Sequence, residues 1–286
     1  MPFGALVIYT SSQKGSVEFD KRLYEKFGAR VIRDRAKILL PTPRITKRAI
    51  KILKNESITR VWFGAAAPLA LMASALRKNG VSNIVALSHG HEVWWAKIPI
   101  FKQLLKKIIS DVNYLGYLGN FTKSEIIKIS KDPTKLVQIA PGIDTNHFMP
   151  RTASAKLIAK YRLEDRRIVI CVARLVHRKG QDQLIQAMPK ILQSHPDAIL
   201  LLVGVGPIKQ MLENSARQLR ITHKIVFTGR ISHDELPDYL AISEIFAMPV
   251  RSRFSGLEVE GLGIVYLEAS ACGKPVVVGN SGGAAD

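Results

Sequence analysis

The sequence is poor in cysteine, in acid and in long apolar runs. Only two cysteines occur among 286 residues, Cys171 and Cys272. Both sit in apolar stretches (IVICVARL and EASACGKP), which excludes a disulfide-stapled scaffold and points to buried free thiols in a reducing compartment. No apolar run approaches the roughly 18–20 residues of a membrane span. The opening MPFGALVIYTSS lacks the charged start, long apolar centre and small-residue cleavage site of a secretory leader, so a cytoplasmic chain is expected. Asp and Glu number 23 against 42 Lys and Arg, a formal charge of +19. Such an excess calls for an anionic partner: nucleic acid, a lipid headgroup surface or a phosphorylated substrate. Aromatics make up 7% and are not interleaved with the basic stretches RITKRAIKILK (44–54) and KIPIFKQLLKK (97–107), so stacking on bases has no support and nucleic acid is not expected. There is no Walker A sequence and no Asp-x-Asp pair to hold a divalent metal.

What is present is a repeated pattern of short apolar strand, turn and amphipathic helix. Strands are expected at 5–10, 29–33, 60–64, 83–88, 114–118 and 136–140, and again at 167–172, 198–203, 224–229, 244–249 and 275–279. Several are near-continuous Val/Ile/Leu runs, as parallel strands covered on both faces require. The alternation predicts an α/β fold with two doubly wound, Rossmann-like domains facing a cleft. The cluster PGIDTNHFMP (141–150) packs two prolines, a glycine and turn formers together, and divides the chain into 1–149 and 150–286. In 97–107, Ile100, Leu104 and Ile108 can share a face with Phe101 and Leu105. That spacing suits either a surface helix with a buried stripe or a basic amphipathic helix on an anionic membrane.

The residues that carry chemistry lie where strands end. In VARLVHRKGQD (172–182), Arg174 and Lys179 follow a strand directly and can converge on one anion, a guanidinium fork plus a point charge suited to a diphosphate; the alternative is a solvated basic loop. In EVEGLGIVYLEASACGKPVVV (258–278), Glu260 and Glu268 are separated by seven residues, with Gly261, Leu262, Gly263 and Ile264 at the start of a helix. Free amides there favour a phosphate or sugar hydroxyls. Glu260 can accept hydrogen bonds from a sugar and Glu268 from a ribose diol, or Glu268 is simply a carboxylate on a helix surface. SHGHEVWW (88–95) puts His89, His91 and Glu92 at a strand end. His-x-His can ligate zinc, but no further ligands stand nearby, so no metal is expected. The other readings are histidines that cap the loop, or His89 at the site of a reacting sugar with His91, Glu92 and Trp94 toward the acceptor. Gly204 and Gly206 in VGVGP follow a strand in the manner of a phosphate or ribose contact. TGRIS (228–232) ends another strand at the same edge.

Taken together, Glu260-x7-Glu268, Arg174 with Lys179, and the histidine after the fourth strand resemble family 4 of the retaining GT-B glycosyltransferases. More narrowly, VWFGAAAPLALMASALRKNG, SHGHEVWWA, RLVHRKGQDQLIQAMP and EVEGLGIVYLEASACGKPVVVG are similar to the GDP-mannose-dependent phosphatidylinositol-monomannoside mannosyltransferases. The resemblance runs from about residue 30 to the last residue. It implies a nucleotide-sugar donor, GDP-mannose, and a glycolipid acceptor on the inner face of the cell membrane, with no cofactor or metal. It implies that Arg174 and Lys179 hold the donor diphosphate, that Glu260 meets the transferred sugar, and that amides from Gly261 to Ile264 meet sugar and phosphate. Glu268 would bind the ribose, His89 would lie by donor and acceptor, and Gly229, Arg230 and Ile231 would edge the base. It also implies a chain without the family's first strand and Gly-Gly loop and without the end of the second domain. Other members of the family use UDP- or ADP-sugars with soluble acceptors, and a fragment that binds ligand without turnover is a further alternative.

Overall fold

The computed structural model describes residues 2–90 and 92–286. Among them the strands are β1 (Val7–Ser11), β2 (Arg30–Asp34), β3 (Arg60–Phe63), β4 (Asn83–Ser88), β5 (Tyr114–Tyr117), β6 (Leu136–Gln138), β7 (Arg167–Val172), β8 (Ala198–Val203), β9 (Ile225–Gly229), β10 (Ile245–Met248) and β11 (Val276–Val278). Each falls on an expected apolar run. The chain divides into two compact units. Unit 1 holds Met1–Ser88, Pro99–Gly116 and Ile129–Val137; unit 2 holds His89–Ile98, Tyr117–Lys128 and Gln138–Asp286.

In unit 1, β1 and β2 form a parallel pair of their own, and β3, β4, β5 and β6 stand in that order in a second sheet. A single continuous sheet would be the simplest reading of the alternation, but strand order is set by tertiary contacts that periodicity does not encode. Helix α1 (Ser16–Phe27) joins β1 to β2, and α2 (Pro43–Asn55) joins β2 to β3. Thr42 caps α2 by accepting a hydrogen bond from the Ile45 amide, with Pro43 in the first turn, where its missing N–H costs nothing. Ile45, Ala49 and Leu53, four apart, form its buried stripe. The basic helix of 97–107 runs over Pro99–Asp111 (α3) and buries Leu105, Ile108 and Ile109, whereas Ile100 is 74% exposed. The buried stripe is therefore displaced toward the C-terminal end from the face expected, and Ile100 does not share it.

In unit 2 the five strands are parallel, in the order β11-β10-β7-β8-β9. All six residues of β8 (AILLLV) are buried, as befits a central strand covered on both sides. Against this sheet pack Ile185 and Met188 of α4 (Gln181–Ser194), Leu212 and Ala216 of α5 (Lys209–Gln218), Tyr239 and Leu240 of α6 (Leu236–Ala241), and Tyr266 and Ala269 of α7 (Ile264–Ala271). Truncating Leu200, fully buried in β8, to alanine is expected to cost about 2–5 kcal/mol. Cys171 and Cys272 are buried free thiols in this core, and burial pushes Cys171 up to about 12.

The strand order carries a consequence for binding. Strand β7 is followed in sequence by β8 on one side, but lies beside β10 on the other. The carboxyl ends of β7 and β10 therefore flank a topological switch point, the place where open parallel sheets leave a crevice for ligands.

Candidate functional site

The loops that leave this switch point line a cavity of about 790 Å³ within unit 2. After β7 comes the short turn His177–Lys179, which contributes Arg178 and Lys179; after β10 comes the segment Phe254–Val265, which leads into α7. His89, Gly90 and Trp94 complete the lining, with Leu118.

Glu260 is the centre of the charge arrangement. It is 8% exposed. Its backbone is fixed on both sides, with its N–H donating to Ser281 Oγ (3.4 Å) and its carbonyl accepting from the Gly283 amide (2.9 Å). Lys179 Nζ donates to its Oε2 at 2.7 Å, and Arg178 Nε lies 3.6 Å from the same oxygen. Arg178 also lies 3.7 Å from Glu258, which is held at 2.9 Å by Arg253. The turn bearing the two cations is tied down from behind. Arg178 O accepts from the Arg251 amide at 2.9 Å, and Arg251 grips Asp182 through both carboxylate oxygens. A bidentate pair of this kind fixes geometry as well as charge.

The glycines beside Glu260 have separate reasons. A Cβ on Gly261 would stand 2.2 Å from the His89 carbonyl oxygen, so glycine is what lets the two segments meet. Gly263 is left-handed (φ 83°) and forms the N-cap of α7 with no side-chain hydrogen bond, which leaves the first-turn amides without a side-chain acceptor. Tyr266 O–H donates to Met248 O at 2.6 Å and ties that turn to the end of β10. Cations, a carboxylate side chain and an uncapped helix start line one crevice. It can take up an anion with a polyhydroxyl group beside it.

Of the sequence-derived residues, His89, Lys179, Glu260, Gly261, Leu262, Gly263, Ile264 and Trp94 come together around this cavity. Arg174 follows the same strand but is exposed and does not line it. Glu268 is buried on α7 and does not line it either; burial pushes its carboxyl above the ordinary glutamate range, and His233 and His147 oppose that shift. Gly204 and Gly206 have a packing reason, since a Cβ on each would stand 2.1 and 2.2 Å from the carbonyl oxygens of Ala173 and Leu175. Gly229, Arg230 and Ile231 lie at and after the end of β9, away from the cavity lining. Glu92 is buried, and His91 lies outside the described residues. Sequence reasoning missed Arg178 and Glu258. The adjacent basic pair of HRKG and the Glu-x-Glu of EVE were the available signals. Among the described residues no group of three or more His, Cys, Asp or Glu is placed to hold a metal ion, and no helix is long and apolar enough to cross a membrane.

Comparison with known proteins agrees with this architecture. Residues 154–286 match the family model described as glycosyl transferases group 1. The GDP-mannose-dependent alpha-(1-6)-phosphatidylinositol monomannoside mannosyltransferase of Mycolicibacterium smegmatis is 42% identical over 280 residues, covering 98% of this chain and 73% of that protein. The Corynebacterium glutamicum enzyme named for the monoacylated form of that acceptor is 40% identical over 286 residues, with the same coverage. Among solved structures, Anabaena HepE in complex with UDP superposes with a TM-score of 0.73 at 18% identity, covering all of this chain and 82% of that one. The fold, two α/β domains with parallel sheets, is that of the GT-B glycosyltransferases. The chain belongs to the group 1 glycosyltransferases, in the family of the phosphatidylinositol-monomannoside mannosyltransferases.

Proposed function

We propose that the protein is a retaining mannosyltransferase that moves mannose from GDP-mannose to a phosphatidylinositol mannoside, working as a peripheral protein on the cytoplasmic face of the membrane. The observation that carries this is the 40–42% identity over 98% of the chain to relatives named for that donor and acceptor. The switch-point cavity, with Lys179 and Glu260 in contact inside it, supports the reading. The charge of +19 fits an anionic lipid surface.

Lys179 and Arg174 hold the donor diphosphate and stabilise it as it leaves, and the first turn of α7 assists. Electrostatic stabilisation of the leaving group is then the largest contribution to rate. Glu260 accepts hydrogen bonds from the mannose, Glu268 from the ribose, and backbone around Gly229 to Ile231 borders the base. His89 stands by the transferred sugar. The acceptor hydroxyl attacks from the face that the diphosphate leaves, and the leaving phosphate oxygen takes its proton. The bond to the new oxygen forms as the bond to phosphate breaks. No residue serves as covalent nucleophile and no metal is needed.

The test is transfer of labelled mannose from GDP-mannose to phosphatidylinositol monomannoside in anionic vesicles. Product formation that fails with UDP-glucose supports the proposal. Turnover with a UDP- or ADP-sugar and none with GDP-mannose overturns it.

A further inference from the structure

Lys179 and Arg178 are neighbours in sequence and both address Glu260 Oε2, but they do so unequally. Lys179 makes a hydrogen bond at 2.7 Å; Arg178 Nε stops at 3.6 Å and, although buried, has no hydrogen-bond partner. An orphaned buried N–H is unfavourable, and it calls for an explanation in a turn whose backbone is held by hydrogen bonds. The turn is not loose: Arg178 O is held by the Arg251 amide, and Arg251 is locked to Asp182. The other contact of the guanidinium is a long one, Nη1 to Glu258 Oε1 at 3.7 Å, and Arg253 bonds the second oxygen of that carboxylate at 2.9 Å.

The arrangement makes sense when Lys179 is asked to do two things. In the proposed reaction Lys179 meets the donor diphosphate, so its ammonium must leave Glu260 or share itself. Glu260 is 8% exposed, and a buried carboxylate deprived of its cation is strongly destabilised. Arg178 needs to close by less than about 1 Å to reach the 2.7–2.9 Å of a charge-assisted hydrogen bond.

We propose that Arg178 is a positioning residue: it takes over the Glu260 carboxylate when Lys179 turns to the diphosphate, and so keeps Glu260 paired and aimed at the donor sugar. This rests on the reading of Lys179 as a diphosphate ligand and Glu260 as a sugar ligand. In this role Arg178 acts through Glu260 rather than through the nucleotide. It therefore affects binding of the sugar nucleotide more than binding of the free nucleotide.

The experiment compares the whole wild-type chain with Arg178→Gln, Arg178→Lys and Lys179→Ala. It uses calorimetric titration of GDP and of GDP-mannose, together with kcat and KM for transfer to phosphatidylinositol monomannoside. Arg178→Gln is expected to keep GDP affinity within about threefold while kcat falls on the order of 10- to 100-fold, and Arg178→Lys to restore most of the loss. In a Glu260→Gln background, Arg178→Gln is expected to change GDP-mannose affinity no further, because the carboxylate it serves is gone. Thermal melting of each variant separates these effects from unfolding. Unchanged kcat in Arg178→Gln, equal loss of GDP and GDP-mannose affinity, or full additivity with Glu260→Gln overturns the proposal. If Lys179→Ala leaves GDP affinity unchanged, the donor-site reading itself fails and the proposal falls with it.

Discussion

Asp34 and Glu260 are both buried acids that stand among cations, and they differ in how completely they are satisfied. In unit 1, Asp34 at the end of β2 is 0% exposed, accepts hydrogen bonds from three donors and has a further cation, Arg48, in ion-pair contact. Arg44 contacts it at 2.8 Å, Arg48 at 3.1 Å, Tyr9 O–H at 2.7 Å and the Ala36 amide at 2.9 Å. The hydrogen bond from Arg44, with those from the Ala36 amide and Tyr9, holds the Asp34 carboxyl well below the usual carboxylate range. Burial, together with the bond to Asp34, pushes Tyr9 up to about 12. In unit 2, Glu260 has one cation at hydrogen-bond distance, a second standing off with an orphaned N–H, and an open cavity beside it. The Asp34 arrangement closes a structure. The Glu260 arrangement leaves capacity for something absent from the chain, which is how a binding site differs from a structural ion cluster.

Substitutions can break or sharpen that contrast. The largest effect is expected at the unsaturated cluster: Lys179→Ala should reduce transfer roughly 10²–10³-fold and weaken GDP binding. Arg174→Ala should cost a similar factor in transfer. It sharpens the account because Arg174 is exposed outside the cavity lining in this structure, and unchanged turnover would remove its diphosphate role. Glu260→Ala should abolish detectable transfer yet leave calorimetric GDP affinity near wild type, the signature of a contact to the sugar alone.

At the saturated cluster the order of effects reverses. Asp34→Asn should lower the thermal midpoint on the order of 5 °C, because two guanidiniums lose their buried counter-charge, while GDP affinity stays unchanged. The smallest effect is expected at Glu268, where function and stability oppose each other. Its carboxyl is raised by burial, so the unfolded chain ionises first and stability falls as pH rises from the ordinary glutamate range to the raised one. Glu268→Gln should therefore raise the midpoint by about 2–4 °C at neutral pH, give no gain near pH 4, and weaken GDP several-fold. A variant equally stabilised at both pH values would contradict the burial argument.

The sequence made the strands legible because each is a short Val/Ile/Leu run between turn formers; RIVICV and AILLLV begin and end at the residues expected. It did not disclose strand order, and hence neither the separate pairing of β1 with β2 nor the switch point between β7 and β10. Both depend on contacts between distant segments. The same limit explains the site. Lys179 and Glu260 stood out by spacing, but their direct contact across 81 positions did not. Arg178 was overshadowed by its neighbour. Gly204 and Gly206 looked like ligand glycines because sequence cannot tell a backbone approaching a phosphate from a backbone approaching the Ala173 and Leu175 carbonyls. In α3, helical spacing found an apolar face but set it too far toward Ile100.

The central claim is that the cavity around Lys179 and Glu260 receives a guanosine diphosphate sugar. Parallel calorimetric titration of the chain with GDP, UDP and ADP, repeated with Lys179→Ala, tests it most directly. The account predicts tightest binding for GDP and a marked loss in the variant. Tighter binding of UDP or ADP, or GDP binding that Lys179→Ala leaves untouched, would contradict it.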